Sequence, residues 1–400
     1  MKTKLSVLCL LFLIYGCSKS EYTQIKEPAY LRVFNNLNYI LSMSEKDNKV
    51  PFLCMIINPT LDATGMPVGG EVVENFLDQR DSYSPPYPSQ IGNSTSVNNP
   101  EYPGKRDVLA GPVLNGFDLS SWAQVPSGRL RIMFLYRPRN EVPFFQLDDK
   151  LKRDVLLDTT IELTAREVYT LHILQKDFNA KRVGMVLRQE NFYKLPLSDS
   201  LVYVNFYNYS AKGFWQADNS LKPSGAELRS FRSGIKDNMN IYLTLFKNQQ
   251  EPATAPFLSN YRGKFLGALQ RDSGSNIVSP YYSFPLWADV AADGIRTDIW
   301  ERFEFLLPGL DIADNPYNSS GNGTFQTYGN FAAINCLVNG SPANMGVSFK
   351  NNGMNLPNLL VNIHSGVYNP RTFATVSTIE VVNSRVYLTT VQRKYPAPVY

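Results

Sequence analysis

Thr160-Ile161-Glu162-Leu163, followed by Val168-Tyr169-Thr170-Leu171-His172-Ile173, has a second copy late in the chain. There it reads Thr378-Ile379-Glu380-Val381, then Val386-Tyr387-Leu388-Thr389-Thr390-Val391. The copies align without a gap at a constant separation of 218 residues, from 160 to 378 and from 168 to 386. Thr, Ile, Glu, Val and Tyr are identical between them, as is a later lysine, Lys176 and Lys394. β-Branched and aromatic residues fill both apolar runs, and a polar break separates them, which reads as strand, turn, strand. The pattern predicts two β modules in tandem, each closing on this hairpin.

The openings of the modules match as well. Ala29-Tyr30-Leu31-Arg32-Val33-Phe34-Asn35 has a counterpart in Val202-Tyr203-Val204-Asn205-Phe206-Tyr207-Asn208. Both alternate, and both end in Asn, a residue that favours turns. Module one is therefore expected over 29–195 and module two over 200–396. The opening strands are 173 residues apart (29 to 202) and the closing hairpins 218, so module two carries a net insertion of about 45 residues. The expected places for it are the stretch from Pro285 through Trp287 and Trp300 to Phe303, and the turn-rich loop from Asp311 to Thr324. The join from Tyr193 to Ser200 is short and holds one proline, so the modules are expected to abut. Between Ser84 and Gly104 runs a long polar, Pro-rich loop, which reads equally as functional or disordered.

At the N-terminus, Lys2 and Lys4 precede an apolar run from Leu5 to Tyr15 that is too short to span a membrane. Residues 1–16 read as a secretory signal. Leu13-Ile14-Tyr15-Gly16-Cys17 resembles a bacterial lipobox, in which a small residue before the Cys permits cleavage and the thiol then carries lipid. On that reading Cys17 is the lipidation site, residues 17–28 are a tether, and several acyl chains hold the protein on a membrane. The alternative is an ordinary secretory signal with a cysteine near the cut.

Composition narrows the function. Charged residues are 18% of the chain and aromatics 12%, with 23 Tyr and 23 Phe, a balance suited to an all-β envelope protein. The net charge of +4 is spread along the chain, with no basic block of the kind that binds nucleic acid. Cleavage and acylation would remove two of the four cysteines. Cys54 and Cys336 remain, each flanked by apolar residues, and read as buried strand thiols or, less directly, as an inter-module disulfide.

The paired opening strand and closing hairpin of module one resemble the domain-of-unknown-function 4397 family, whose modules occur in tandem in secreted and lipid-anchored bacterial proteins. The resemblance covers module edges, and the tract that usually follows the first strand is replaced here by Asn36-Leu37-Asn38-Tyr39. It implies all-β, immunoglobulin-like β-sandwich modules and carries over no catalytic residue. The lipobox, the Asn and Tyr richness and the tandem layout together resemble a Bacteroidetes cell-envelope lipoprotein, on the outer membrane, facing either the periplasm or the cell surface.

Catalytic chemistry is thinly supplied. His172 sits inside a predicted strand and His364 in a strand or turn, no nucleophile elbow accompanies them, and no metal site is expected. Asp148-Asp149 and the trio Asp289, Asp293 and Asp298 could flank a glycosidic bond, but equally suit solvated loops. Asp311 and Asp314 lack the order of a calcium loop. No cofactor is implied. The candidate binding residues are aromatic: Trp215, Tyr281, Tyr282, Trp287 and Trp300, able to stack on sugar rings or anchor a protein if exposed, or to fill the core if buried. Two expectations follow for a non-enzymatic, lipid-anchored binding protein: an accessory subunit of an outer-membrane assembly, or a surface glycan-binding lipoprotein. A glycoside hydrolase is the third.

Overall fold

The computed structural model describes residues 25–37, 51–80, 87–88, 108–199, 201–222, 237–247, 261, 263–285, 290–291, 294–295, 299–306, 308–309, 330–337, 353–355, 359–360, 374–383 and 385–393. The fold is all-β. The first ten strands are β1 (Ala29–Asn35), β2 (Leu53–Leu61), β3 (Pro67–Leu77), the short β4 (Val113–Leu114) and β5 (Phe117–Asp118), β6 (Ala123–Val125), β7 (Gly128–Tyr136), β8 (Val155–Leu163), β9 (Val168–Asp177) and β10 (Arg182–Gln189). Next come β11 (Leu201–Asn208), β12 (Asn238–Lys247), β13 (Lys264–Gln270), β14 (Tyr282–Pro285), β15 (Val290–Ala291), β16 (Gly294–Ile295) and β17 (Ile299–Leu306). The last are β18 (Asn330–Leu337), β19 (Gly353–Asn355), β20 (Leu359–Leu360), β21 (Val376–Val382) and β22 (Arg385–Val391).

Four main sheets form two sandwiches. Sheet I has the order β3-β2-β7-β8 and sheet II the order β10-β9-β1-β6. Sheet III runs β14-β11-β21-β22, and sheet IV runs β13-β12-β17-β18 with β19 and β20 added beyond β18. Sheets I and II enclose an aliphatic core that includes Leu31, Val33, Met55, Ile57, Ile132, Phe134, Leu171 and Ile173. Phe206 of sheet III packs on Phe303 and Phe305 of sheet IV, with ring centroids 5.3 and 6.1 Å apart.

The sandwiches repeat one topology. In sheet II, β1 is flanked by β6 antiparallel and β9 parallel. In sheet III, β11 is flanked by β14 antiparallel and β21 parallel. The register fixes the correspondence: Tyr30 lies opposite Val168, and Tyr203 opposite Val376. The opening strands therefore match as the sequence predicts, while the closing elements do not. β8 and β9 never pair, because β8 completes sheet I beside β7 and the chain then crosses to sheet II. The crossing turns at Arg166, in the left-handed region at φ 64°, whose amide donates to the Pro28 carbonyl at 2.7 Å. Only the second copy, β21–β22, is a hairpin, turning at Asn383 with φ 55°. Its true counterpart is β9–β10, which pairs antiparallel from Asp177 to Gln189. His172 thus corresponds to Glu380 rather than to Thr390.

The insertion is relocated by the same correction. β17 is the counterpart of β7, each the third strand of its sheet, so Trp300 belongs to the shared frame. β8 passes to β9 through residues 164–167, whereas β18 passes to β21 through 338–375, and the added length lies there with β19 and β20. Tyr87, from the Pro-rich tract, is buried in the first core, where its carbonyl accepts from the Val33 amide at 3.1 Å. Apart from Tyr87 and Pro88, that tract lies outside the described residues, as does the loop from Asp311 to Thr324.

Candidate functional site

The chemistry-bearing residues of the described chain gather between the sandwiches. β1 is buried at all seven positions, as are the first seven of β9 and all of β21. Alternation explains it. Ala29, Leu31 and Val33 face the first core, while Tyr30, Arg32 and Phe34 face sheet III. Sheets II and III therefore pack face to face, and residues meet their own counterparts across the seam. Tyr30 and Tyr203, Val168 and Val376, and Trp122 and Tyr281 share one apolar cluster. Leu174 and Val382, with Val186 and Tyr387, share a second. Contact between equivalent residues marks surfaces related by an approximate two-fold axis.

Between these apolar clusters lies a layer of charge. Glu380 is fully buried and receives Arg80 Nη1 on one oxygen; the other lies 2.9 Å from Arg188 Nη1 and 3.3 Å from His172 Nε2. Arg188 also chelates Glu190 Oε1 through Nε and Nη2, at 3.0 and 2.9 Å, and donates to the Tyr209 hydroxyl at 2.8 Å. Thr170 links Arg32 to Glu190, accepting from Arg32 Nη2 at 3.2 Å and donating to Glu190 Oε1 at 2.7 Å. His172 stacks on Phe34, and Asn36 Nδ2 lies 3.0 Å from its Nδ1. A ring accepting there carries its proton on Nε2, toward Glu380.

Burial pushes the His172 imidazole down to about 4, against the pull of Glu380. Burial alone would raise Glu380, but the His172, Arg80 and Arg188 side chains converging on it hold its carboxyl well below the usual range. Arg188 is held above its ordinary value despite burial, chiefly by Glu190 and the tyrosine hydroxyls. The set is neutral imidazole, ionised carboxylates and charged guanidinium groups. It can clamp two surfaces together, since Arg80, Arg188, Glu190 and Glu380 each meet an opposite charge on the opposing module or beside it. The module one positions Arg32, His172 and Arg188 correspond to Asn205, Glu380 and Thr389. At these positions the first module carries the bases and the second the acid Glu380, on a nearly symmetric frame.

Of the sequence-predicted aromatics, Tyr281 lies at the seam, while Trp215 and Tyr282 pack outside the charged layer. Trp215 is half-buried and meets Phe214 edge to face at 5.0 Å. Tyr281, half-buried, packs on the seam beside Trp122. Burial raises its hydroxyl, and Glu190 adds to that. Tyr282 lies 5.9 Å from Phe206 and crosses the β13 backbone at Gly267, where any Cβ would stand 2.3 Å from its hydroxyl. The Trp300 backbone is registered against Phe246 and Asn335. Trp287, Cys17, His364, Asp289, Asp293 and Asp298 lie outside the described residues. Asp149 pairs with Lys152 at 2.8 Å on the surface. Cys54 is buried in β2 of sheet I and Cys336 belongs to β18 of sheet IV, with sheets II and III between. Among the described residues, no group of His, Cys, Asp and Glu could hold a metal ion, and no helix is long and apolar enough to cross a membrane.

Sequence reading missed Arg32, Arg80, Arg188, Glu190 and Glu380. A signal was present for Arg32, which interrupts a strand whose neighbours are apolar on both faces, where a lone charge needs a buried partner.

No family model matches the chain, and no curated protein matches it. Among solved structures, it is similar to one described as a "putative cell adhesion protein" from Parabacteroides distasonis. The identity is 8%, over 94% of this chain and 99% of that one, at a TM-score of 0.17. A likeness at that score carries no argument about this chain.

Proposed function

We propose that this chain is a lipid-anchored cell-envelope protein that works by binding, as an accessory subunit of an outer-membrane assembly. One observation carries the choice of subunit over glycan platform. The two sandwiches spend their inner sheets on each other, and Trp215, Tyr281 and Tyr282 are engaged in intramolecular packing. A sugar platform needs flat aromatic faces open to solvent. What such a stack offers a partner is its outer sheets, its edges and its loops. The lipobox-like sequence ending at Cys17 supports the anchor.

The test is purification of the full-length protein from its own membranes in mild detergent, with mass spectrometry of what accompanies it. A stoichiometric outer-membrane partner is expected. A lone protein that binds polysaccharide, and loses that binding in Trp287→Ala or Trp300→Ala with folding intact, would replace this reading with the glycan-binding one. The anchor is checked separately: Cys17→Ala should move the protein to the soluble fraction, and continued membrane retention would exclude lipidation there.

A further inference from the structure

We propose that the seam between the modules binds a small monovalent anion of chloride size, held by Arg32 and Arg80 with help from Trp122 and Tyr387. The first observation is charge. Among the described residues, Arg32, Arg80 and Arg188 face only Glu190 and Glu380 within one contact network, and all five residues are at most 5% exposed. With His172 neutral, the network keeps one positive charge in excess. Buried charge without a counter-charge is expensive, far beyond what an unmade hydrogen bond costs.

The second observation is a surplus of donors. Arg32 Nε, Arg80 Nη2, Trp122 Nε1 and the Tyr387 hydroxyl are all buried and have no acceptor within hydrogen-bonding distance. They belong to one neighbourhood. The Arg32 guanidinium carbon lies 4.0 Å from the Trp122 ring centroid and 5.0 Å from that of Phe34. The Arg80 carbon lies 3.6 Å from Phe34 and 4.3 Å from Tyr387. Orphaned buried donors are uncommon, and each calls for a water or an ion. Here donors outnumber acceptors: against four donors, the unpartnered acceptors on the seam strands are Asn36 Oδ1, next to His172, and Asn205 Oδ1, the counterpart of Arg32. Water would accept from the donors but leave the excess charge standing, whereas an anion answers both at once. Burial also pulls the Arg32 guanidinium down to about 9, a sign that the two carboxylates do not fully compensate it. The aromatic walls of Phe34, Trp122 and Tyr387 suit a weakly hydrated, compact anion. The shell has no array of further donors to satisfy a phosphate.

The experiment measures thermal midpoints of the whole chain in sodium chloride and in sodium gluconate at equal ionic strength, with sodium bromide as a second probe. The expected result is a saturable rise of several degrees in chloride over gluconate, reproduced by bromide. Arg32→Gln should lose that increment, whereas the exposed control Arg131→Gln should keep it. If Arg32→Gln does not fold, Trp122→Phe removes one donor without changing charge and should shrink the increment. Equal midpoints in chloride and gluconate overturn the proposal, as does an unchanged increment in the seam variant that folds.

Discussion

His172 was read from the sequence as a structural strand histidine, and its surroundings make it the most pH-sensitive residue of the seam. Its imidazole is buried among Phe34, Tyr209, Asn36 and Glu380, with Arg80 and Arg188 behind the carboxylate. In the folded protein it protonates only near pH 4, against about 6.5 in an open chain. Above pH 6.5 the ring is neutral in both states and contributes no pH dependence. Between 6.5 and 4 the unfolded chain takes up a proton that the folded one refuses, so stability falls as pH falls. The loss from this group is about 2 kcal/mol at pH 5 by linkage. Glu380 adds to it lower down: its folded value is depressed, so its contribution is present above about 4.5, the ordinary value, and is lost as pH drops toward the folded one. Chemical denaturation at pH 7.5, 6, 5 and 4.5 should show this decline. His172→Gln should flatten it between 6.5 and 4.5, and a variant as acid-sensitive as the parent would show that the imidazole is not responsible.

At the scale of strands, Phe206 couples the second sandwich. It alternates inward from β11, is 2% exposed, and meets Phe303, Phe305 and Tyr282. Phe206→Ala should cost about 3–5 kcal/mol, the range for truncating a buried phenylalanine. Phe265→Ala, on the exposed side of β13, should change denaturant midpoints little. Similar losses at both positions would mean that sheets III and IV do not enclose the core in this way. The strands themselves were legible: alternation and β-branched content place β1, β9, β11, β12 and β21, and the match of Tyr30 to Tyr203 survives at the level of register. The hairpin was not. Leu163 to Val168 and Val381 to Val386 are both apolar runs broken by a short turn, and local pattern does not say whether the second run pairs with the first or crosses to another sheet. Long-range pairing of β9 with β1, across more than a hundred residues, decides that in the first copy. The pairing shifts the module alignment from Val386 to Val376 and moves the insertion past β18. The seam was hidden for a related reason. Glu380, in a strand that also holds Ser377 and Thr378, looks like an ordinary strand polar residue until one knows that both faces of its strand are covered.

Across the whole molecule, the charged seam bears on how the two sandwiches unfold. Covalently linked domains by default share modest, polar interfaces and move or melt separately. Here separation would strip Arg80, Arg188 and His172 of Glu380, and would open the apolar clusters on either side. It would also leave each module with a surface whose charges repel a like surface: two copies of the first would gather Arg80 and Arg188 without Glu380 between them, and two copies of the second would set Glu380 against Glu380. Specificity of the first module for the second is thus built from repulsion in the alternatives as well as attraction in the pair. The expected consequence is one cooperative thermal transition for both sandwiches, with calorimetric and van't Hoff enthalpies in agreement. Glu380→Gln removes the only carboxylate that the second module contributes to the described network. It should cost about 3–5 kcal/mol, the penalty for breaking a buried pair from one side. Because that loss falls on the contact between modules rather than on either core, the single endotherm should split into two. Two resolved transitions in the parent protein, or a variant that melts earlier but still in one step, would show that the cooperativity has another source than this carboxylate.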